Sequence, residues 1–250
     1  MDIQVSPMTA ADIDGAVDVI QAAFRDDPYA NWVFDKETFN AARNRASLRI
    51  RCEWGMQHAL FHVARSTSPS SHNQILGVAM WLPPNATSSS LSFTLSLYAL
   101  SLRALLNNAY HLGRGGLLLR RYRIWKAAQA AAQAELWTDP RGYYFCNIVA
   151  VAPEAQGRGV GRALMGEVLR RADEEGTRCY LESSRDEPNT KIYGRLGFEV
   201  RKVMECDDEG ERVELFCMVR EPRGRGEDGE ERGQKRKRGL REGDVDGVAE

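Results

Sequence analysis

The most chemically suggestive stretch of the chain is Gln156-Gly157-Arg158-Gly159-Val160-Gly161, which follows a run of aromatic and β-branched residues and opens an amphipathic one. That order predicts a strand, a glycine turn and the start of a helix. The first amides of a helix have no intrahelical acceptor and point outward, and the aligned peptide dipoles place partial positive charge there. Glycines let the backbone approach a guest without interference from Cβ. The guest such a turn suits is an anion, above all a phosphate or pyrophosphate. The turn lacks the Gly-Lys-Ser/Thr ending of a nucleotide P-loop. It also departs from G-x-G-x-x-G, because position 162 is Arg. Taken alone, the same glycines also describe a tight strand-to-helix connection.

The elements around the turn follow from periodicity and punctuation. Tyr143–Val151 reads as a strand. Val160, Leu164, Val168 and Leu169 share one helical face, and Gly176 is a natural stop. Residues 178–183 read as a strand, 189–196 as a short helix ended by Gly197, and 198–206 and 212–219 as strands joined through Asp207-Asp208-Glu209-Gly210. Toward the N-terminus, Ile3 to Val5 reads as a strand. Thr9, with Asp12 three residues on, caps a helix running to Phe24. Lys36 to about Gln57 reads as helical, and 60–64 and 75–82 as strands, the latter ended by Pro83-Pro84. Between Asn85 and Pro140 lie two apolar-periodic, helix-favouring segments, 91–110 and 117–136, separated by Gly113, Gly115 and Gly116. They read as a helical insertion between strands, spanning residues 86–139.

Bulk composition narrows the function classes. The chain has 250 residues with 34 bases and 35 acids, a net charge of −1, so no whole-molecule field draws it to nucleic acid. Its five cysteines are odd in number and never form C-x-x-C, which argues against a disulfide framework or a zinc knuckle. His58 and His62 are spaced i, i+4, but residue 59 is Ala, so H-E-x-x-H is absent and no metal is expected. No signal peptide opens the sequence, and the apolar stretch 91–106 is too short to span a bilayer. A cytoplasmic protein without membrane contact is expected. From Glu221 to Glu250 the chain holds nine acids and eight bases and few large apolar residues, the signature of a disordered tail. Within it, Lys235-Arg236-Lys237-Arg238 reads as a solvated charge run, or else as a nuclear import signal or a nucleic-acid contact.

Gln156-x-x-Gly159-x-Gly161 after a strand resembles the Q/R-x-x-G-x-G/A signature of the GNAT superfamily of acetyl-CoA-dependent N-acetyltransferases. Tyr193-Gly194-Arg195-Leu196-Gly197-Phe198, at the fitting distance downstream, resembles that family's Tyr-x-x-x-Gly-Phe element. Within the superfamily, the chain is most similar to puromycin N-acetyltransferase and its relatives. The likeness rests on Ala22-Ala23-Phe24 with Asp27-Pro28, on Val78-Ala79-Met80-Trp81-Leu82-Pro83, and on Leu181-Glu182-Ser183-Ser184. The resemblance covers about residues 3 to 220. It implies an α/β (α+β) domain over 1–220: a strongly twisted mixed sheet of about seven strands flanked by helices, with the insertion before the fourth strand. Its fourth and fifth strands part to admit a pantetheine arm.

The resemblance also assigns roles. Backbone groups of Val149, Ala150 and Val151 would pair with the pantetheine as if it were another strand and supply oxyanion donors. Amides from Gln156 through Gly157, Arg158, Gly159 and Val160 to Gly161 would hold the pyrophosphate of acetyl-CoA. Tyr193 would be the general acid, since a phenol of pKa about 10 stays protonated at neutral pH. Asn189 would meet the pantetheine or pyrophosphate edge, or serve as a helix N-cap. Glu182 is the candidate base, against its reading as an ordinary solvated glutamate. Tyr29 and Asp27, in the first loop, would line the acceptor pocket. The acceptor implied is the primary amine of a small molecule. A protein or peptide amine, or acyl-CoA binding without catalysis, are the other classes. A monomer or weak dimer is expected.

Overall fold

The structure is a computed structural model that describes residues 3–68, 74–84 and 91–224. Residues 225–250, most of the stretch expected to be a tail and all of its basic run, lie outside the described residues. In chain order the elements are β1 (Ile3–Pro7), α1 (Ile13–Ala23), α2 (Pro28–Val33), α3 (Ala41–His58), β2 (Leu60–Ser66), β3 (Ile75–Leu82), α4 (Leu91–Tyr110), α5 (Leu119–Leu136), β4 (Tyr143–Val151), α6 (Val160–Glu175), β5 (Arg178–Ser183), α7 (Asn189–Gly194), β6 (Glu199–Asp208) and β7 (Glu211–Arg220). The strands form one seven-stranded sheet in the order β1-β2-β3-β4-β5-β7-β6. Every neighbouring pair is antiparallel except β4 and β5. The mixed sheet expected from the sequence is the one observed.

Local chemistry explains the boundaries. The Thr9 amide and hydroxyl both donate to Asp12 Oδ2, at 2.8 and 2.7 Å, and launch the first helical segment. The helix expected to start near Lys36 begins instead at Ala41, because the Asn40 side chain accepts from the Arg43 amide at 2.9 Å and caps it there. Asp35 holds the preceding residues in a turn by accepting from the Glu37 amide and the Thr38 hydroxyl. The segment containing α2, expected as loop, is helical. The helix forms because Asp27 Oδ1 accepts from the Ala30 amide at 2.9 Å and Pro28 occupies the first helical position, where its missing N–H costs nothing. At the β6–β7 hairpin, Glu209 and Gly210 take φ of 57° and 97°, the pair of left-handed residues a tight two-residue turn needs.

The helices clamp the sheet. A Cβ on Gly55 of α3 would meet Met80 and Phe61, whereas one on Gly77 of β3 would meet Val160 and Leu164 of α6. Residues 77 and 80 point to opposite faces of the strand, so α3 and α6 cover opposite sides. Val160, Leu164, Met165, Val168, Leu169 and Ala172 of α6 are all buried. At about 1.5–3 kcal/mol for each large side chain, this face anchors the helix whose N-terminus carries the glycine turn. Its far end is held by Asp173, which receives two bonds from the buried Arg220 guanidinium at 2.6 and 2.7 Å and one from the Arg223 amide at 2.7 Å. Of the inserted helices, α5 lies on β6 and α4 packs on α3.

Candidate active site

The site begins where the sheet divides. β4 and β5 pair in parallel over four positions, Tyr143 with Arg178 through Cys146 with Leu181. Beyond Cys146, β4 stays with β3, placing Val149 opposite Ala79, Ala150 opposite Val78 and Val151 opposite Gly77. β5 stays with β7, where Glu182 faces Cys217 and Ser183 faces Phe216. Residues 147–151 therefore have a backbone edge on the β5 side without a strand partner. Side chains 143–146 are buried, and exposure starts at Asn147, where the pairing stops.

The glycine turn stands at the far end of that free edge. Gly157 and Gly159 take φ of 72° and 85°, conformations that L side chains rarely adopt. A Cβ on either would meet nothing within 4 Å, so conformation, and not crowding, requires glycine here. The Ala163 amide donates to the Gly159 carbonyl at 3.0 Å. The preceding amides of Val160, Gly161 and Arg162 thus come before the first intrahelical acceptor. Gln156 ties the turn back to the strand, its side-chain amide donating to the Val151 carbonyl at 3.3 Å. Arg158 is exposed beside the turn.

Tyr193 lies near Cys146, on the β4 side of the fork. Its half-buried ring packs edge-on against Phe198 with centroids 6.2 Å apart. Burial, together with the neighbouring Cys146 thiol and Asp27 carboxylate, pushes the phenol's pKa further up, so it holds its proton firmly. Cys146 is also the last β4 residue paired with β5. Asn189 is the first residue of α7 and not its cap, which is Pro188; its side-chain amide donates to the Ser183 hydroxyl at 3.0 Å. That bond pins α7, and with it Tyr193, to the end of β5.

Glu182 is not a solvated strand glutamate. Its carboxylate accepts from Gln129 Nε2 at 2.7 Å, Gln133 Nε2 at 3.4 Å and the Tyr180 hydroxyl at 2.8 Å. Burial raises its pKa, and these three bonds with the nearby Lys126 ammonium only partly offset the rise. Both glutamines come from α5, so the insertion builds the surroundings of Glu182. Tyr29 stacks at a tilt on Trp125 with centroids 4.9 Å apart, and Tyr122 meets the same indole at 5.6 Å. Burial raises the Tyr29 phenol pKa as well, with Glu182 among the contributing charges. Asp27 is 8% exposed, and its carboxylate is occupied: Oδ1 caps α2, and Oδ2 accepts from the Ser184 hydroxyl. The structure thus makes it a brace between the first loop and β5.

One residue absent from the sequence reading joins the group. Arg51 of α3 donates to Asn147 Oδ1 at 2.5 Å, on the first unpaired residue of β4, and has no acidic partner among the described residues. Burial lowers its pKa, with Tyr122 and Tyr29 opposing that effect. Nothing in the sequence near Arg51 marks it; only the packing of α3 brings it to the fork. All five cysteines are buried and free. Among the described residues there is no cluster of three or more metal-ligating side chains, and no helix is long and apolar enough to cross a membrane.

With this geometry in hand, likenesses to known proteins are informative. Residues 120–200 match the model of the Acetyltransferase (GNAT) domain. The match runs from α5 through the fork, the glycine turn and Tyr193 to the start of β6. An uncharacterized N-acetyltransferase of Schizosaccharomyces pombe is 33% identical over 84 residues, covering 34% of this chain and 33% of that protein. The alignment thus spans only about a third of that relative's length. A Corynebacterium glutamicum structure described as histone acetyltransferase HPA2 and related acetyltransferase superposes with a TM-score of 0.58 at 24% identity, covering 90% of this chain and 99% of that one. Arylalkylamine N-acetyltransferase 2 of Aedes aegypti superposes with a TM-score of 0.57 at 12% identity, covering 89% and 100%. At such identities the superpositions establish the fold alone. Residues 120–200 are thus similar to a GNAT acetyltransferase domain, and the mixed sheet with flanking helices is the fold of the structural neighbours.

Proposed function

We propose that this protein is an acetyl-CoA-dependent N-acetyltransferase whose acceptor is the primary amine of a small molecule. The observation that carries the reading is the parting of β4 and β5 beside a helix N-terminus whose glycines leave the approach open. A free strand edge suits the amides of a pantetheine arm, and the turn suits a pyrophosphate. In this reading Val149–Val151 hold the arm and Gln156–Gly161 hold the diphosphate, with Arg158 adding charge. Acetyl-CoA supplies, when bound, an acetyl group activated as a thioester.

The remaining chemistry belongs to the protein's own side chains and backbone amides. Tyr193, firmly protonated at the fork, delivers a proton to a departing thiolate. Glu182, its pKa raised by burial, is a stronger base than a solvated carboxylate and is placed to receive one from an ammonium. Amides at the free edge of β4 stabilise a developing oxyanion. Tyr29, Tyr122 and Trp125 form an aromatic wall beside Glu182, the kind of enclosure a compact acceptor fills. The puromycin N-acetyltransferase likeness of residues 78–83 and 181–184 supports the same acceptor class. The proposed domain covers residues 1–220, including the insertion 86–139. The two neighbours above carry acceptors as different as a histone and an arylalkylamine in their names, so fold does not choose among them.

The decisive experiment has two stages. Calorimetry with CoA tests the cradle, and absence of binding refutes the whole reading. Release of CoA thiol in the presence of an amine library then tests catalysis, with peptide amines included. Turnover of peptides alone would replace the small-molecule acceptor, and binding without any turnover would make the protein an acyl-CoA sensor.

A further inference from the structure

α4 is built inside out. The face it turns toward α3 is polar: Ser96 accepts from the Trp54 indole at 3.2 Å, Arg103 pairs with Glu53, and the buried Asn107 donates to the Arg43 carbonyl at 3.1 Å. Asn108 Oδ1 adds two bonds from the Arg43 guanidinium, at 3.1 and 2.6 Å. Most of the described leucines point the other way, Leu100 being the half-buried exception. Leu95, Tyr98, Leu102, Leu105, Leu106 and Tyr110 are 57–83% exposed, and Leu112, just past the helix, is 96% exposed. Apolar side chains on an ordinary surface helix face the core. Here that rule is largely reversed over residues 95–110.

The exposed residues are also regularly spaced. Leu95, Tyr98, Leu102, Leu105, Ala109 and Leu112 are separated alternately by three and four residues. A seam of period 3.5 keeps a narrow stripe against one partner helix along its whole length. A helix lying on a bilayer needs something different, a basic polar face above a wide apolar one. The single charged residue of α4, Arg103, is spent on Glu53. Together with Leu106 and Tyr110 the large side chains of this face expose on the order of 900 Å² per protomer, beyond the largest patch of a typical monomer and close to one side of a standard stable interface. The chain's remaining segments bring no matching surface: residues 69–73 and 85–90 contain no large apolar residue, and 225–250 contain only Leu240, Val245 and Val248. A second copy brings an identical unsatisfied stripe, which a twofold axis can place against the first.

We propose that two copies of this chain associate through α4, stripe against stripe, with Leu102 and Leu105 near the twofold axis. Sedimentation of the full chain over a wide concentration range is expected to give a reversible dimer at micromolar concentration. Leu102→Lys combined with Leu105→Lys is expected to give a monomer with an unchanged circular dichroism spectrum, since both side chains face solvent in the single chain. Leu102→Cys, central enough to meet its mate whichever way the helices run, is expected to form an interchain disulfide on mild oxidation; the five native thiols are buried and do not compete. A wild-type chain monomeric throughout the range overturns the proposal, as does a dimer that survives the lysine pair. So does a Leu102→Cys chain that fails to cross-link. Binding of the wild-type chain to phosphatidylcholine–phosphatidylserine vesicles, lost in the lysine pair, would reassign the face to a bilayer.

Discussion

Two glycines, one capping α6 and one inside it, are expected to respond in opposite directions when replaced by alanine. Gly159 caps α6 with φ 85° and ψ 0°. An L-residue there costs about 1–2 kcal/mol. The added methyl meets nothing within 4 Å, so the cost is one of backbone conformation alone. Gly166 lies inside α6, where a methyl again meets nothing within 4 Å. There alanine stiffens the unfolded chain and favours helix, a gain of about 0.4–1 kcal/mol. For a folded body of this size, about 2–4 °C per kcal/mol separates the two variants by several degrees in Tm, Gly159→Ala below and Gly166→Ala above wild type. The functional consequence is sharper. Any relaxation of φ at 159 swings the Val160 amide away from the cradle, and a retained φ puts a methyl on its open side. CoA affinity measured by calorimetry should fall at least about tenfold in Gly159→Ala, or about 1.4 kcal/mol, and stay unchanged in Gly166→Ala. A Gly159→Ala protein that is less stable yet binds CoA as wild type does would refute the cradle. One with unaltered Tm would refute the backbone argument.

Three further expectations concern single side chains. Tyr193→Phe should lower kcat by more than roughly tenfold while leaving the CoA dissociation constant nearly intact; equal turnover in steady-state assays removes the phenol from the reaction. Burial raises the Glu182 pKa, so the folded chain keeps its proton to higher pH than the unfolded chain does. Stability contributed by this site is therefore present below the ordinary carboxylate pKa and declines as pH rises toward the folded value. Urea unfolding of Glu182→Gln should lack that part of the decline, and curves parallel to wild type across the acidic to neutral range would contradict it; the pH–rate profile should lose its basic-group limb. Asp173→Ala leaves the Arg220 guanidinium buried without its carboxylate, and the loss of unfolding free energy should be about 3–5 kcal/mol. A urea midpoint close to wild type would show that the pair does not lock α6 to β7.

The fold was legible wherever local chemistry decides it. The strands 75–82, 143–151 and 178–183 have the bounds that their β-branched and aromatic runs suggested. Gly176 takes the left-handed C-cap that its place after the helix implied. α2 went unread although Asp27-Pro28 is an N-terminus signal, because a six-residue helix offers too little periodicity. The helix expected from Lys36 starts five residues later, at Ala41, since nothing in the pattern favours Asn40 over its neighbours as cap. The site divides in the same way. The glycine turn was evident from a continuous stretch of sequence, whereas the fork was expected only from the family resemblance. The raised pKa of Glu182 depends on Gln129 and Gln133, some fifty residues away, and no spacing rule connects them. Arg51 reaches Asn147 across 96 positions. The polarity of α4 escaped for a further reason: periodicity locates an apolar stripe but does not say whether the chain itself will cover it.

The narrowness of the β4–β5 ladder has a mechanical consequence. Four residue pairs are all that stitch β1–β4 to the β5–β7 portion through backbone hydrogen bonds. Anything lodged in the gap below acts as a splint across that short seam, opposing the hingelike gaping of one sheet portion against the other. Amide protons along 143–146 and 178–181 should then exchange with deuterated solvent more slowly once the gap is filled, although those residues touch no guest. The seam would serve as a remote gauge of occupancy, readable by mass spectrometry without any knowledge of the acceptor.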